Sequence, residues 1–86
     1  MKDQIYNIIL KNSANFTKYD DLFVYCLENN IDEKELKKAL TQLLKDNQIV
    51  KKYYDFLSNS LQSKKTTHSE TIFLPNLQVK NINNLL

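Results

Sequence analysis

Between residues 35 and 57 the chain reads ELKKALTQLLKDNQIVKKYYDFL, and the period of its apolar residues changes part of the way along. Leu36, Ala39, Leu40, Leu43 and Leu44 recur at i, i+3, i+4, i+7 and i+8, the spacing that gathers side chains on one side of an α-helix. The pair Asn47-Gln48 then breaks the helical period, and IVKKYYDFL is rich in the β-branched and aromatic residues that suit a pleated surface. The spacing predicts a helix to about Asp46 followed at once by a strand over 49–57. A helix that runs directly into a strand ties the two to one core. With 86 residues there is material for one such core and little for a second.

The flanking segments supply partners for that pair. Ile5, Ile8 and Ile9 predict an amphipathic first helix over residues 3 to about 12, ended by the polar run Asn12 to Asn15. Thr17 and Asp20 have the spacing of an N-terminal cap. Tyr19, Leu22, Phe23, Cys26 and Leu27 are expected to line the buried face of a second helix reaching about Asn29. Asn29 and Asn30 are expected to stop it, since asparagine tolerates the left-handed conformation and the chain has no glycine. Asp32 with Glu35 repeats the capping spacing ahead of the leucine-rich third helix. After the strand come the polar residues SNSLQSKKTTHSE and then TIFLP, read as a long-tipped hairpin whose second strand is stopped by Pro75. The expected core is Ile5, Ile9, Leu22, Phe23, Leu36, Leu40 and Leu43. The expected class is mostly α with a small β-hairpin, in a domain over 1–76. Residues 77–86 form a C-terminal tail in which Ile82, Leu85 and Leu86 have the spacing of a short helix, packed on the domain or on a second copy.

Composition removes several function classes. The longest unbroken apolar run, Leu22 to Leu27, is far below the ~20 residues a membrane span requires. The amino-terminal MKDQIYNIIL lacks the apolar block of a secretory signal, so an intracellular protein, cytoplasmic or nuclear, is expected. The lone Cys26 has no second thiol and reads as a small buried hydrophobe. His68 has no acid or thiol at a metal-ligand spacing, and no phosphate-binding glycine loop can be built without glycine. No catalytic residue, metal site or cofactor is therefore expected. Asp20 and Asp21, neighbours diverging by about 100° on a helix, suit the dipole of its first turn better than an acid–base dyad.

Charge is distributed unevenly. Residues 1–33 hold three lysines against six acids, whereas residues 34–86 hold nine lysines against four acids. On the third helix Lys34, Lys37, Lys38, Thr41 and Lys45 fall within about 60° of one line, opposite the leucines. Lys51 or Lys52 on the strand, then Lys64 with Lys65 in the hairpin tip, would continue the same sign. Any single lysine solvates a helix surface; four aligned, followed by two more pairs, point to a polyanion. The rings of Tyr53, Tyr54 and Phe56 are assigned to packing rather than base stacking, as the chain has no tryptophan to fill a core.

Helix, helix, helix, strand, long loop, strand resembles the winged-helix family, a helix-turn-helix unit followed by a β-hairpin wing. The resemblance is carried by the tight ENNID connection, by ELKKALTQLLKDNQIVKK and by the polar SNSLQSKKTTHS, and covers about residues 3–75. There are two departures from the family: Asn47 stands where many relatives have glycine, and Glu33 and Glu35 stand where DNA-binding relatives often have arginine or serine. The resemblance implies double-stranded DNA as partner, with the third helix in the major groove. Its lysines would meet guanine or phosphate, Thr41 or Gln42 would meet base edges, and the wing lysines would meet the backbone. A small transcriptional regulator, homodimeric through its apolar tail, is the first expectation. A replication-initiator domain fits the same residues. A winged-helix interaction module, binding a protein through its acidic half, is the rival from another class.

Overall fold

The computed structural model describes residues 1–76; the expected tail helix and its role in a dimer lie outside the described residues. In chain order the elements are α1 (Lys2–Lys11), β1 (Thr17–Lys18), α2 (Tyr19–Glu28), α3 (Glu33–Lys45), β2 (Ile49–Asp55), β3 (Ser60–Gln62) and β4 (Ser69–Pro75). The three helices stand where their periodicity places them.

Asparagine does the work of glycine at both critical helix ends. Asn30 (φ 57°) and Asn47 (φ 58°) are left-handed. Each sits one residue past a helix cap, where the next two amides turn back onto the last turn. Ile31 N donates to Cys26 O at 2.8 Å, and Gln48 N donates to Leu43 O at 3.0 Å. These are Schellman closures, which satisfy carbonyls that would otherwise be orphaned. The first sets the short connection into α3, and the second aims the chain from α3 into β2. At the start of α3, Asp32 Oδ1 accepts from Lys34 N at 3.4 Å, the cap read from its spacing.

The sheet is larger than the expected hairpin. Four antiparallel strands lie in the order β1-β4-β2-β3, so the class is mixed α and β rather than mostly α with a hairpin. Two strands were not legible. Thr17, expected to cap α2, is instead buried in β1 opposite Phe73 of β4, and its hydroxyl accepts from Asn12 Nδ2 at 3.2 Å. Lys18 precedes α2 in extended conformation with no side-chain cap. Inside the expected polar tip, Ser60–Gln62 pairs with Tyr53–Asp55. The turn that allows this is held by Asp55, whose Oδ1 accepts from Leu57 N and Ser58 N, both at 3.0 Å, with Asn59 left-handed (φ 55°). β2 consequently ends at Asp55, and β4 begins at Ser69, earlier than TIFLP suggests.

The helices cover one face of the sheet. Ile5 and Ile9 of α1, Leu22 and Cys26 of α2, and Leu36, Ala39, Leu40 and Leu43 of α3 pack with Ile49 and Phe73. Complete burial of each such Leu or Ile contributes about 1.5–3 kcal/mol. Two expectations for α2 fail: Phe23 is half-buried, and Leu27 is 61% exposed. The helix turns Leu22 and Cys26 into the core, and at 100° per residue that rotation carries Leu27 out.

Candidate nucleic-acid interface

Burial of the leucine stripe decides what α3 presents outward. Lys34, Lys37, Lys38, Thr41, Gln42 and Lys45 are all exposed. They do not act as one patch, because the surroundings of α3 divide them. Lys37 and Thr41 line a groove of about 360 Å³ between α3 and the sheet, together with Leu40, Leu44, Phe73, Tyr19 and Thr71. Lys51 of β2 lines the same groove. Lys38 and Gln42 lie on the opposite flank, in a hollow shared with Met1, Lys2 and Glu35. Lys34 and Lys45 lie along the helix line between those flanks.

Strand pairing separates the next two lysines. Residues directly opposite in an antiparallel ladder share a face of the sheet. Lys51 is opposite Phe73, which packs in the helical core, so Lys51 is on the helix-bearing face. Lys52 is opposite Ile72 and lies on the other face. Of the two strand lysines, it is Lys51 that lines the groove beside α3. In the β3–β4 loop, Lys64 is exposed, while Lys65 lines an adjoining groove with Lys18, Asp20 and Glu70. That groove shares Tyr19 and Thr71 with the first. Lys18 and Glu70 are ion-paired at 3.3 Å there, so Lys65 supplies the cation less constrained by an acid.

Several polar groups are already engaged. Thr41 Oγ1 donates to Lys37 O at 2.8 Å, which leaves its lone pairs free to accept from a base amino group. Gln42 Nε2 donates to Asp46 Oδ1 at 3.0 Å, which occupies one of its two amide hydrogens and orients the side chain toward the end of α3. The acids at the start of α3 take opposite flanks. Glu35 faces the Lys38 hollow, whereas Glu33 accepts from the Tyr19 hydroxyl at 2.7 Å. Burial, then the bond to Glu33, pushes the Tyr19 hydroxyl up to about 12, so it stays a donor at neutral pH. Glu33 and Glu35 flank Lys34 in sequence and offset its charge at the start of α3.

Tyr19 and Thr71 were not anticipated as groove residues. Nothing in a linear pattern marks them, since they meet only because β1 leads into α2 beside β4. The setting of His68 was also missed. Its Nδ1 lies 3.1 Å from Asp55 Oδ2, which Thr66 Oγ1 also approaches at 3.2 Å. The amide of Ser58 first, and those of Leu57 and the hydroxyl of Thr66 after it, hold the Asp55 carboxyl below the usual carboxylate range against an opposing effect of burial; His68 adds to the lowering. Asp55 thereby joins the β2–β3 turn, the β3–β4 loop and the start of β4. An aspartate just before a turn is a sequence signal for such backbone bonding. The thiol of Cys26 is buried within the helical core, and burial raises its pKa. Among the described residues no group of three His, Cys, Asp or Glu side chains could hold a metal, and no helix is long and apolar enough to cross a membrane. Comparison with protein-family models, curated proteins and solved structures finds no match to this chain.

Proposed function

We propose that the chain is a winged-helix DNA-binding module that lays the exposed line of α3 and the adjoining edge of β2 against a duplex. The observation that carries this reading is the convergence of Lys37 and Thr41 from α3 with Lys51 from β2 on one groove. Lys34 and Lys45 prolong the line. The order α1, β1, α2, α3 and then the antiparallel strands β2, β3 and β4 supports the winged-helix part of the reading, as does the short asparagine-closed connection between α2 and α3. At its most specific the proposal is a small transcriptional regulator, in which Thr41 accepts from a base edge and the lysines hold phosphate.

The arrangement sets a scale for the test. Lys34, Lys37, Lys45, Lys51 and one lysine of the β3–β4 loop make up to about five phosphate contacts, for a salt slope near −4.5. Affinity for a mixed-sequence duplex, followed by fluorescence anisotropy, should therefore fall about 500-fold between 50 and 200 mM salt. Lys37→Glu should weaken binding more than Lys38→Glu, because Lys38 stands on the flank away from Lys51. Binding that is absent at 50 mM salt, or that ignores both substitutions in folded protein, would falsify the proposal.

A further inference from the structure

The exposed face of α2 has a composition that the DNA reading leaves unused except at Asp20, which lines the Lys65 groove. At 100° per residue, Leu27, Asp20, Val24, Glu28 and Asp21 follow one another around an arc of about 120°. Val24 is 49% and Leu27 61% exposed, and neither lines the grooves beside α3. Residues 19–33 contain five acids and no lysine. Two of those acids have work within the fold, Asp32 as the cap of α3 and Glu33 as acceptor for Tyr19. Asp20, Asp21 and Glu28 form no ion pair among the described residues. Charges alone would solvate the helix, but solvation gives no reason for two aliphatic side chains between them at i and i+3.

We infer that this face of α2 is a docking surface for a cationic amphipathic helix of another protein, with aliphatic side chains seated on Val24 and Leu27 and lysines or arginines meeting Asp20, Asp21 and Glu28. Charge selects that occupant over a second copy of the chain. Antiparallel pairing of two α2 helices would set Asp20 and Asp21 against Glu28 of the other copy, like charge against like, with no basic residue on α2 to relieve it. The basic face of α3 in a second copy has the right sign but no large exposed apolar residue to match Val24 and Leu27. A partner helix needs both features at the same spacing, in the helix-on-helix manner of amphipathic recognition. With only two aliphatics on offer, the contact belongs to the weak, transient class.

The test uses the full chain, labelled with ¹⁵N, and a leucine/lysine peptide with leucines at i, i+3, i+4 and i+7. Titration should shift the amides of α2 around Val24, Leu27 and Glu28, whereas a leucine/glutamate peptide of the same pattern should shift none of them. The double substitution Val24→Ser with Leu27→Ser should weaken the lysine peptide at least 10-fold. Asp21→Asn with Glu28→Gln should weaken it by a similar factor and flatten its salt dependence. These side chains are exposed, and circular dichroism of each variant checks that α2 survives. Shifts centred away from α2, equal affinity for the serine variant, or self-association of the chain that the serine substitutions abolish would each overturn the inference. DNA affinity measured on the serine variant should equal that of the parent chain, so failure of the docking surface and failure of the DNA reading give different results.

Discussion

Lys51 and Lys52 are adjacent in sequence, identical in type and opposite in direction, which makes them a sharp internal test of the proposed interface. Pairing with Phe73 puts Lys51 on the helix-bearing face, beside Lys37 and Thr41, while pairing with Ile72 turns Lys52 away. If α3 and β2 meet a duplex together, Lys51→Ala removes one phosphate contact and makes the salt slope shallower by about 0.9. Between 50 and 200 mM salt, a fourfold range, that is a change of about 3.5-fold in the ratio of the two affinities. Lys52→Ala should leave the ratio unchanged. Folding should not confuse the comparison. Lys51 Nζ lies 5.9 Å from the Tyr53 ring centroid in an exposed setting, an interaction of only about 0.5–1 kcal/mol. Anisotropy titrations of both variants against one duplex at four salt concentrations give the slopes directly. Equal slopes for the two variants would refute the assignment of faces to function, even if the chain binds DNA. A larger effect from Lys52 would place the duplex on the other side of the sheet.

Three further outcomes test the fold that positions the groove. Leu40 is 4% exposed and Leu27 is 61% exposed, so Leu40→Ala should cost about 2–5 kcal/mol in urea unfolding, against a change within about 0.5 kcal/mol for Leu27→Ala. Asn47→Ala should destabilise by about 1 kcal/mol because alanine resists the left-handed conformation, whereas Asn47→Gly should be close to neutral; equal losses would show that the closure of α3 does not depend on that conformation. The depressed pKa of Asp55 means that its ionised form is favoured by folding, led by the Ser58 amide. Its contribution to stability is therefore present above the unfolded carboxyl pKa and lost as pH falls through the lower folded value. Asp55→Asn should flatten the stability profile on the acid side, and parallel profiles for variant and parent would overturn that account.

The helices were legible because each is specified by residues close in sequence. Ile5 and Ile9, Leu22 and Cys26, and Leu36, Leu40 and Leu43 repeat at the period of the helix they form, and six of the seven expected core residues are buried. The closures at Asn30 and Asn47 were readable for the same reason, since in a chain without glycine asparagine best tolerates a left-handed turn. Alignment of Lys34, Lys37, Lys38, Thr41 and Lys45 on one side of α3 also follows from local geometry.

The sheet followed different rules. β1 has two residues and β3 three, too short for any alternation to register, and each exists only because a distant strand supplies its hydrogen bonds. Thr17 had the spacing of a cap, but pairing with β4 satisfies its backbone and draws its side chain inward, and that tertiary gain overrides the local signal. The same long-range register decided the site. Sequence alone determined that a basic helix precedes a lysine-bearing strand. Only pairing of β2 with β4 decided that Lys51 and not Lys52 stands beside α3, and only tertiary packing gave the two flanks of α3 their neighbours, Met1 and Lys2 beside Lys38 and Gln42, and Lys51 and Phe73 beside Lys37 and Thr41. Helical position is set within a turn or two of the chain, whereas the face a strand residue occupies depends on a partner about 20 residues away in sequence, and a slip of one residue in that pairing would exchange the two lysines.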